Sequence, residues 1–169
     1  MKKSTLVAII VVVLVAVVLV SGMGLFPGNS SGAKNKTATM TIDFSDAPTN
    51  HFRNNVTTWT NSSGVWTYET HASGNGTTIF VFKNMTFSDN VMDLLMECAG
   101  KGDFAVVRQQ YVAMGTIIER IDGVNTERPG RGWQFYVNDV YGTVACDKTT
   151  LNDGDRVYWK FMELSGNLT

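Results

Sequence analysis

The side chains best suited to holding a ligand are four large aromatic residues: Trp133, Tyr136, Tyr141 and Trp159. Flat rings of this kind either stack on a planar molecule or pack against one another across strands, for ~0.2–1 kcal/mol per pair. Alternation separates the two roles. Trp133, Phe135 and Val137 fall on one face of a period-2 pattern, and Gln134, Tyr136 and Asn138 fall on the other. Trp133 and Tyr136 therefore cannot both point inward. Trp133 and Trp159 suit a core, whereas Tyr136 and Tyr141 suit an exposed face. Arg128 and Arg131, with Arg120 upstream, carry guanidinium forks that can grip a carboxylate or phosphate; the competing reading is a solvated loop. The candidate ligand set is thus Trp133, Tyr136, Tyr141, Asn138, Arg128 and Arg131.

Other chemistry finds less support. His51 and His71 have no Cys, His or carboxylate at ligand spacing, so no metal is expected. No nucleophile elbow, phosphate-cradling loop or dinucleotide fingerprint is present, and Ala99-Gly100-Lys101-Gly102 lacks the Walker spacing. Asp43, Asp46, Asp153 and Asp155 sit in turns, where carboxylates serve as hydrogen-bond acceptors. The expectation is a protein that is not an enzyme. A net charge of −1 gives no field that would favour nucleic acid. Cys98 and Cys146 form an even pair, expected to be a disulfide in an oxidising compartment; two buried thiols are the alternative. Such a bridge would stabilise by roughly 4 kcal/mol in the chain-entropy model.

The elements that must position these residues are mostly strands. Residues 37–44 alternate Met40, Ile42 and Phe44 against polar neighbours. Residues 55–60 and 65–70 predict a hairpin joined by Asn61-Ser62-Ser63-Gly64. Residues 77–83 are apolar on both faces, which predicts a central strand. One helix is expected, capped by Ser88, buried along Val91, Leu94, Leu95 and Cys98, and ended by Gly100. Strands are expected over 104–112, 116–121, 133–137, 140–146 and 156–162, with Val124 to Gly132 as a loop. Strands, one helix and more strands make an α+β domain.

A separate signal precedes it. Leu6 to Val20 is an unbroken apolar run behind Lys2 and Lys3. Thr5 to Phe26 is long enough for a ~30 Å hydrocarbon core, and the lysines orient the downstream residues to the outside. Residues 1–26 are therefore expected to be a signal anchor, or else a signal peptide cleaved near Ser21-Gly22. Residues 27–36 are small and polar, as in a flexible tether, and 37–169 form the exported domain. Asn29, Asn35, Asn55, Asn61, Asn75, Asn84 and Asn167 each open an Asn-X-Ser/Thr sequon, seven of the 13 asparagines. The excess fits a glycosylated surface protein, although turn chemistry alone also gathers these residue types.

Several of these motifs occur together in a known family. Met114-Gly115-Thr116, Ile121-Asp122-Gly123-Val124, Gly132-Trp133-Gln134-Phe135-Tyr136-Val137-Asn138 and Leu151-Asn152-Asp153-Gly154-Asp155-Arg156-Val157-Tyr158-Trp159 resemble the transcobalamin-like carboxy-terminal domain, a module of unknown function in prokaryotic surface proteins. Val91-Met92-Asp93-Leu94-Leu95 resembles its single helix, and the likeness covers about 77–163. The resemblance implies a β-grasp-like mixed sheet with one packed helix, to which this chain adds amino-terminal strands. It also implies a corrinoid as one conceivable ligand. The expected function is a membrane-tethered extracellular binding module for a small molecule or a neighbouring surface protein. The alternative is a structural or adhesion component of the cell envelope.

Overall fold

The computed structural model describes residues 36–48, 54–74 and 76–164. The apolar run, most of the tether, His51 and the sequons at Asn29, Asn35, Asn75 and Asn167 lie outside them. Among the described residues no helix is long and apolar enough to cross a membrane. Over the described residues the fold is α+β, mostly sheet with one helix.

Ten strands and a helix occur in the order β1 (Lys36–Asp43), β2 (Asn55–Ser62), β3 (Val65–Ala72), β4 (Thr78–Phe87), α1 (Val91–Gly102), β5 (Val106–Tyr111), β6 (Gly115–Ile121), β7 (Val124–Asn125), β8 (Arg131–Val137), β9 (Val140–Tyr141) and β10 (Arg156–Glu163). Seven of them form a mixed sheet in the order β3-β2-β4-β1-β10-β8-β9, and β5-β6-β7 form a small second sheet. The inner face of the large sheet carries Met40, Ile42, Phe82, Trp159 and Phe161, all at most 2% exposed. The alternations over β1, β8 and β10 thus face as expected. β4 lies inside the sheet, as its two apolar faces predict.

β4 runs four residues beyond the expected end at Lys83, because a bulge resets its alternation. Ala38 pairs with Met85 but Met40 pairs with Phe82, so an extra residue sits on β4. Asn84 absorbs it in a left-handed conformation, φ 55°. Phe80 and Phe82 point inward before the bulge, and Met85 and Phe87 point inward after it. Strict period-2 reading breaks there, which is why the strand looked finished.

Three two-residue hairpin loops have positive φ at both positions: Ser63-Gly64, Asp122-Gly123 and Asn138-Asp139. That backbone twist matches the twist of the flanking strands. The first loop is two residues shorter than expected, since Ser62 already pairs with Val65. The predicted loop over 124–132 contains the short β7, and the strand expected over 140–146 ends at Tyr141.

α1 buries Val91, Leu94, Leu95, Cys98 and Ala99. A helix of 12 residues is marginal alone, and each large buried side chain adds about 1.5–3 kcal/mol. Packing on β4 and β1 therefore holds it. Its cap is Asn90, not Ser88: Asn90 Oδ1 accepts from Asp93 N at 3.0 Å. The reason is tertiary. The chain at 146–149 docks on this end, and its carbonyls at Thr149 and Cys146 accept the Val91 and Met92 amides at 3.1 and 3.2 Å. The other end lies past Gly100, at Asp103, whose φ is 52°. Gly102 is the last residue of the helix, and a Cβ there would sit 2.9 Å from the Phe104 ring, so a larger residue does not fit without a shift.

The bulge yields a test. Asn84→Gly is expected to keep the stability of the parent, whereas Asn84→Val, a branched residue at positive φ, is expected to lose about 1–2 kcal/mol. Urea-denaturation midpoints of the two variants decide the matter.

Candidate functional site

The outer face of the large sheet gathers three tyrosines, Tyr136 and Tyr158 half-buried and Tyr141 exposed. Thr41 pairs with Tyr158, Tyr158 with Tyr136, and Tyr136 with Tyr141, so these side chains form a row across β1, β10, β8 and β9. The Tyr136 ring lies 5.6 Å from Tyr141 and 6.4 Å from Tyr158, in edge-on and tilted arrangements. The Tyr136 hydroxyl donates to Met162 Sδ at 3.6 Å. Tyr136, Tyr158, Met162, Lys160 and Asp139 line a shallow groove of about 300 Å³. A second groove of about 270 Å³ adjoins it along Thr39, Thr41 and Arg156.

The charges bordering these grooves are paired. Arg156 Nη2 meets Asp139 Oδ2 at 2.9 Å, and Lys160 Nζ meets Asp46 Oδ2 at 3.5 Å. Tyr158 donates its hydroxyl proton to Asp43 Oδ2, while Asp43 Oδ1 also accepts from the Ser45 amide at 2.8 Å. Burial first, and then donation to that carboxylate, pushes the Tyr158 phenol well above the ordinary tyrosine value. The ring thus stays protonated and neutral. Tyr158 escaped the sequence reading, although its alternation with Trp159 already placed it on the outer face.

The other candidates divide. Trp133 is core, 7% exposed, with Nε1 donating to the Val124 carbonyl at 2.9 Å and ring contacts to Phe44 and Phe161. Arg128 is paired: its Nη2 is held at 2.9 Å by Glu119 Oε1, which the β6-β7 turn brings alongside. Arg131 lies over the Phe161 ring at 5.4 Å, and its buried Nε has no acceptor among the described residues. Asn138 is a turn residue. It donates to Asp155 Oδ1 at 2.8 Å and accepts from the Arg156 amide at 3.0 Å. The structure therefore sets Tyr136, Tyr141 and Tyr158 in one row, places Trp133 in the core, pairs Arg128 with Glu119 and uses Asn138 in the turn between β8 and β9.

The Asp-Gly-Asp turn is also structural. Asp153 Oδ1 accepts the Thr37 amide at 2.7 Å, Gly154 donates to the Thr37 carbonyl at 2.7 Å, and Thr39 donates to the Asp155 carbonyl at 3.0 Å. The turn clasps β1 beside β10.

The inner side holds a smaller cavity of about 140 Å³ between β6, β8, β10 and the strap over residues 142–146. Trp133, Phe135, Trp159, Thr116 and Ile118 form its walls, and Tyr141 on the edge strand borders it. Gly142 permits the strap to lie on Phe135, since a Cβ there would stand 2.3 Å from that ring. Asp147 anchors the strap, accepting from Thr116 N at 2.9 Å and Thr116 Oγ1 at 3.1 Å.

The expected disulfide is not formed: Cys98 and Cys146 are free and buried. The carbonyl of Cys146 meets Met92 in the first turn of α1, and Cys98 lies six residues further, about 9 Å along the axis. That exceeds the span a disulfide bridges. Cys146 Sγ donates to the Thr116 carbonyl at 3.4 Å instead. Burial, then the neighbouring Asp147 charge, pushes the Cys146 thiol up to about 12; burial, then Glu97, raises Cys98 as well.

Of the sequons within the described residues, Asn84 is exposed and donates to the Asn61 carbonyl at 3.1 Å, Asn61 caps its hairpin at the Gly64 amide at 2.9 Å, and Asn55 is half-buried. His71 is exposed, 3.5 Å from Glu69. Among the described residues no group of three or more His, Cys, Asp or Glu is placed to hold a metal ion.

Residues 88–163 match the family described as "Domain of unknown function (DUF4430)". The match takes in α1, the small sheet and β8 to β10, and omits β1 to β4. No protein of curated function matches the chain. Among solved structures, haptocorrin in complex with Cbi is similar at a TM-score of 0.42 and 10% identity, over 64% of this chain and 25% of that one. This chain therefore spans about a quarter of haptocorrin's length. A "putative metal binding protein" from Ruminococcus gnavus ATCC 29149 is similar at a TM-score of 0.38 and 12% identity, over 66% of this chain and 99% of that one.

Two measurements check the site. Both thiols are expected to resist alkylation in the native protein at neutral pH and to react fully in denaturant without reductant, as read by intact mass. Asp147 is held below the ordinary carboxylate range, chiefly by the Thr116 amide. Its stabilisation is therefore complete above about pH 3.9 and is lost as pH falls through the lowered value. Asp147→Asn is expected to lower the urea midpoint at neutral pH, with the gap to the parent closing in strong acid.

Proposed function

We propose that this chain is a membrane-tethered extracellular binding module, not an enzyme, and that it holds a small neutral ring-bearing molecule against the tyrosine face. The observation that carries the reading is the row Tyr136, Tyr141 and Tyr158, set on three adjacent strands beside a groove of about 300 Å³. Rings presented side by side offer stacking surface at little entropic cost, because each has few rotatable bonds. The bordering charges are already paired, so a neutral ligand would meet no unmatched charge. A protonated Tyr158 tied to Asp43 suits hydrogen bonding to a ligand more than proton transfer from it.

The apolar run Leu6 to Val20 and the sequons support tethering and export of a glycosylated domain, with residues 1–26 as anchor or cleaved leader, 27–36 as tether and 37–169 as the domain. We read the mixed sheet with its one packed helix as β-grasp-like. The motif resemblance to transcobalamin-like domains makes corrinoids one ligand class to test, and glycans are the other.

A second reading, contact with a neighbouring surface protein as a structural or adhesion component, draws on β3. This eight-residue edge strand leaves Val65 65% and Tyr68 75% exposed. Exposed strand edges are templates for pairing with another chain.

A thermal-shift screen of the full chain against corrinoids and glycans tests the ligand reading. A hit is expected to weaken roughly fivefold, about 1 kcal/mol, on Tyr141→Ala. A screen with no hit, or hits indifferent to Tyr136→Ala and Tyr141→Ala, would leave the protein-contact reading. Pelleting with membranes after alkaline wash would support the anchor, and release into the medium would support the cleaved leader.

A further inference from the structure

The seven-stranded sheet ends on β3, and no strand among the described residues pairs with the far side of it. The Ser63-Gly64 loop fixes which backbone groups of β3 face outward. Ser62 pairs with Val65 across this two-residue loop, and a tight turn closes such a pair with a hydrogen bond. Val65, Thr67, Glu69 and His71 therefore bond toward β2. Ser73 keeps the same phase, its amide donating to the Asn54 carbonyl at 3.1 Å. Trp66, Tyr68, Thr70 and Ala72 turn their N–H and C=O groups away from the sheet.

Folded proteins usually guard such an edge with a Pro, a Lys, a bulge or a very short strand. β9, at the other end of the sheet, has only two residues. β3 has eight, with no Pro, Lys or Arg and an unbroken register along β2. Its one fixed charge is Glu69. Two residues on stands His71, whose ring N–H can donate to a carboxylate and which carries the opposite charge once protonated. Within one copy the two lie 3.5 Å apart, and both are about two-thirds exposed. Across β2 they face Thr58 and Val56, which carry no charge.

Charge selects both the partner and the register. A second copy that meets β3 antiparallel about a two-fold axis sets one residue opposite itself and keeps opposed side chains on one face. Centring on Glu69 opposes like charges. Centring on Tyr68 sets Glu69 against Thr67 and His71 against Val65. Centring on Thr70 sets Glu69 of each copy against His71 of the other, twice, and pairs Tyr68 with Ala72 through the outward backbone groups.

We propose that β3 is a self-pairing edge: two copies of this chain join antiparallel through it, centred on Thr70, and merge their seven-stranded sheets into one. The pairing rests on the protein-contact reading of β3 and names a second copy as the partner.

The test uses the full chain in detergent micelles, with a nitroxide label at Thr67→Cys, an exposed position. Cys98 and Cys146 are buried and do not take the label. Thr67 lies three residues from the centre in each copy, so pulsed EPR is expected to read about 20 Å between labelled positions, against under about 10 Å for centring on Tyr68. Glu69→Lys is expected to weaken the pairing about fivefold, and adding His71→Glu is expected to restore it. Thr70→Pro removes the outward N–H at the axis and is expected to abolish the pairing; should that variant not fold, the charge exchange on exposed side chains still decides. No dipolar coupling at any protein concentration, a coupling unchanged by Glu69→Lys, or a charge exchange that does not restore it would each overturn the proposal. A photo-cross-linker at Thr67→Cys in native membranes separates the two readings. Capture of a different protein alone would overturn the second copy and leave the contact reading standing, whereas capture of nothing would overturn both.

Discussion

The architecture depends on the burial of β1 between two strands distant in sequence. It pairs antiparallel with β4 on one side and parallel with β10 on the other. Met40, Ile42 and Phe44 are fully buried as a result. Remove that strand and the sheet becomes two unconnected pieces, β2-β3-β4 and β8-β9-β10. Parallel pairing cannot be made by a tight turn and so needs another means of holding register. The Asn152–Asp155 turn supplies it, through Asp153 and Gly154 to Thr37 and through Asp155 to Thr39. A motif that marks a family resemblance is here a mechanical clasp.

The two faces of the joined sheet meet different surroundings. α1 and the small β5-β6-β7 sheet cover the inner face, while the described residues leave much of the outer face polar and partly open. Thr41, Tyr158, Tyr136 and Tyr141 line up only because β1, β10, β8 and β9 are neighbours in that order. The inner covering is shared between one short helix and one short sheet, and the strap over residues 142–146 closes the remaining gap. The cavity is the space these pieces leave at their junction.

Charge is used locally throughout. Arg128 with Glu119, Arg156 with Asp139 and Lys160 with Asp46 pair at the surface, where such contacts contribute little to stability but leave few unmatched charges. Asp43 and Asp147 do more: Asp43 accepts from the Ser45 amide and hydroxyl and from the Tyr158 hydroxyl, and Asp147 from the Thr116 amide and hydroxyl. The thiols are satisfied locally as well. Cys146 gives its proton to the Thr116 carbonyl, and Cys98 is packed among core side chains.

What the amino-acid order determined by itself was everything with a local cause. Period-2 alternation set which of Trp133, Gln134, Phe135 and Tyr136 face inward, because successive strand side chains must oppose one another. The helix stripe from Val91 to Cys98 came from 3.6-residue spacing, and the turns at Asp122-Gly123 and Asn138-Asp139 from residues tolerant of positive φ. Only the tertiary structure decided which of these parts meet. It brought Tyr158 beside Tyr136, gave Arg128 to Glu119, kept Cys98 apart from Cys146, moved the helix cap to Asn90 and carried β4 through a bulge at Asn84. Apart from the Arg128–Glu119 pair, which the short β6-β7 hairpin makes, those outcomes are set by a strand partner or docked segment remote in sequence, and no periodicity along a single strand encodes the identity of its neighbour.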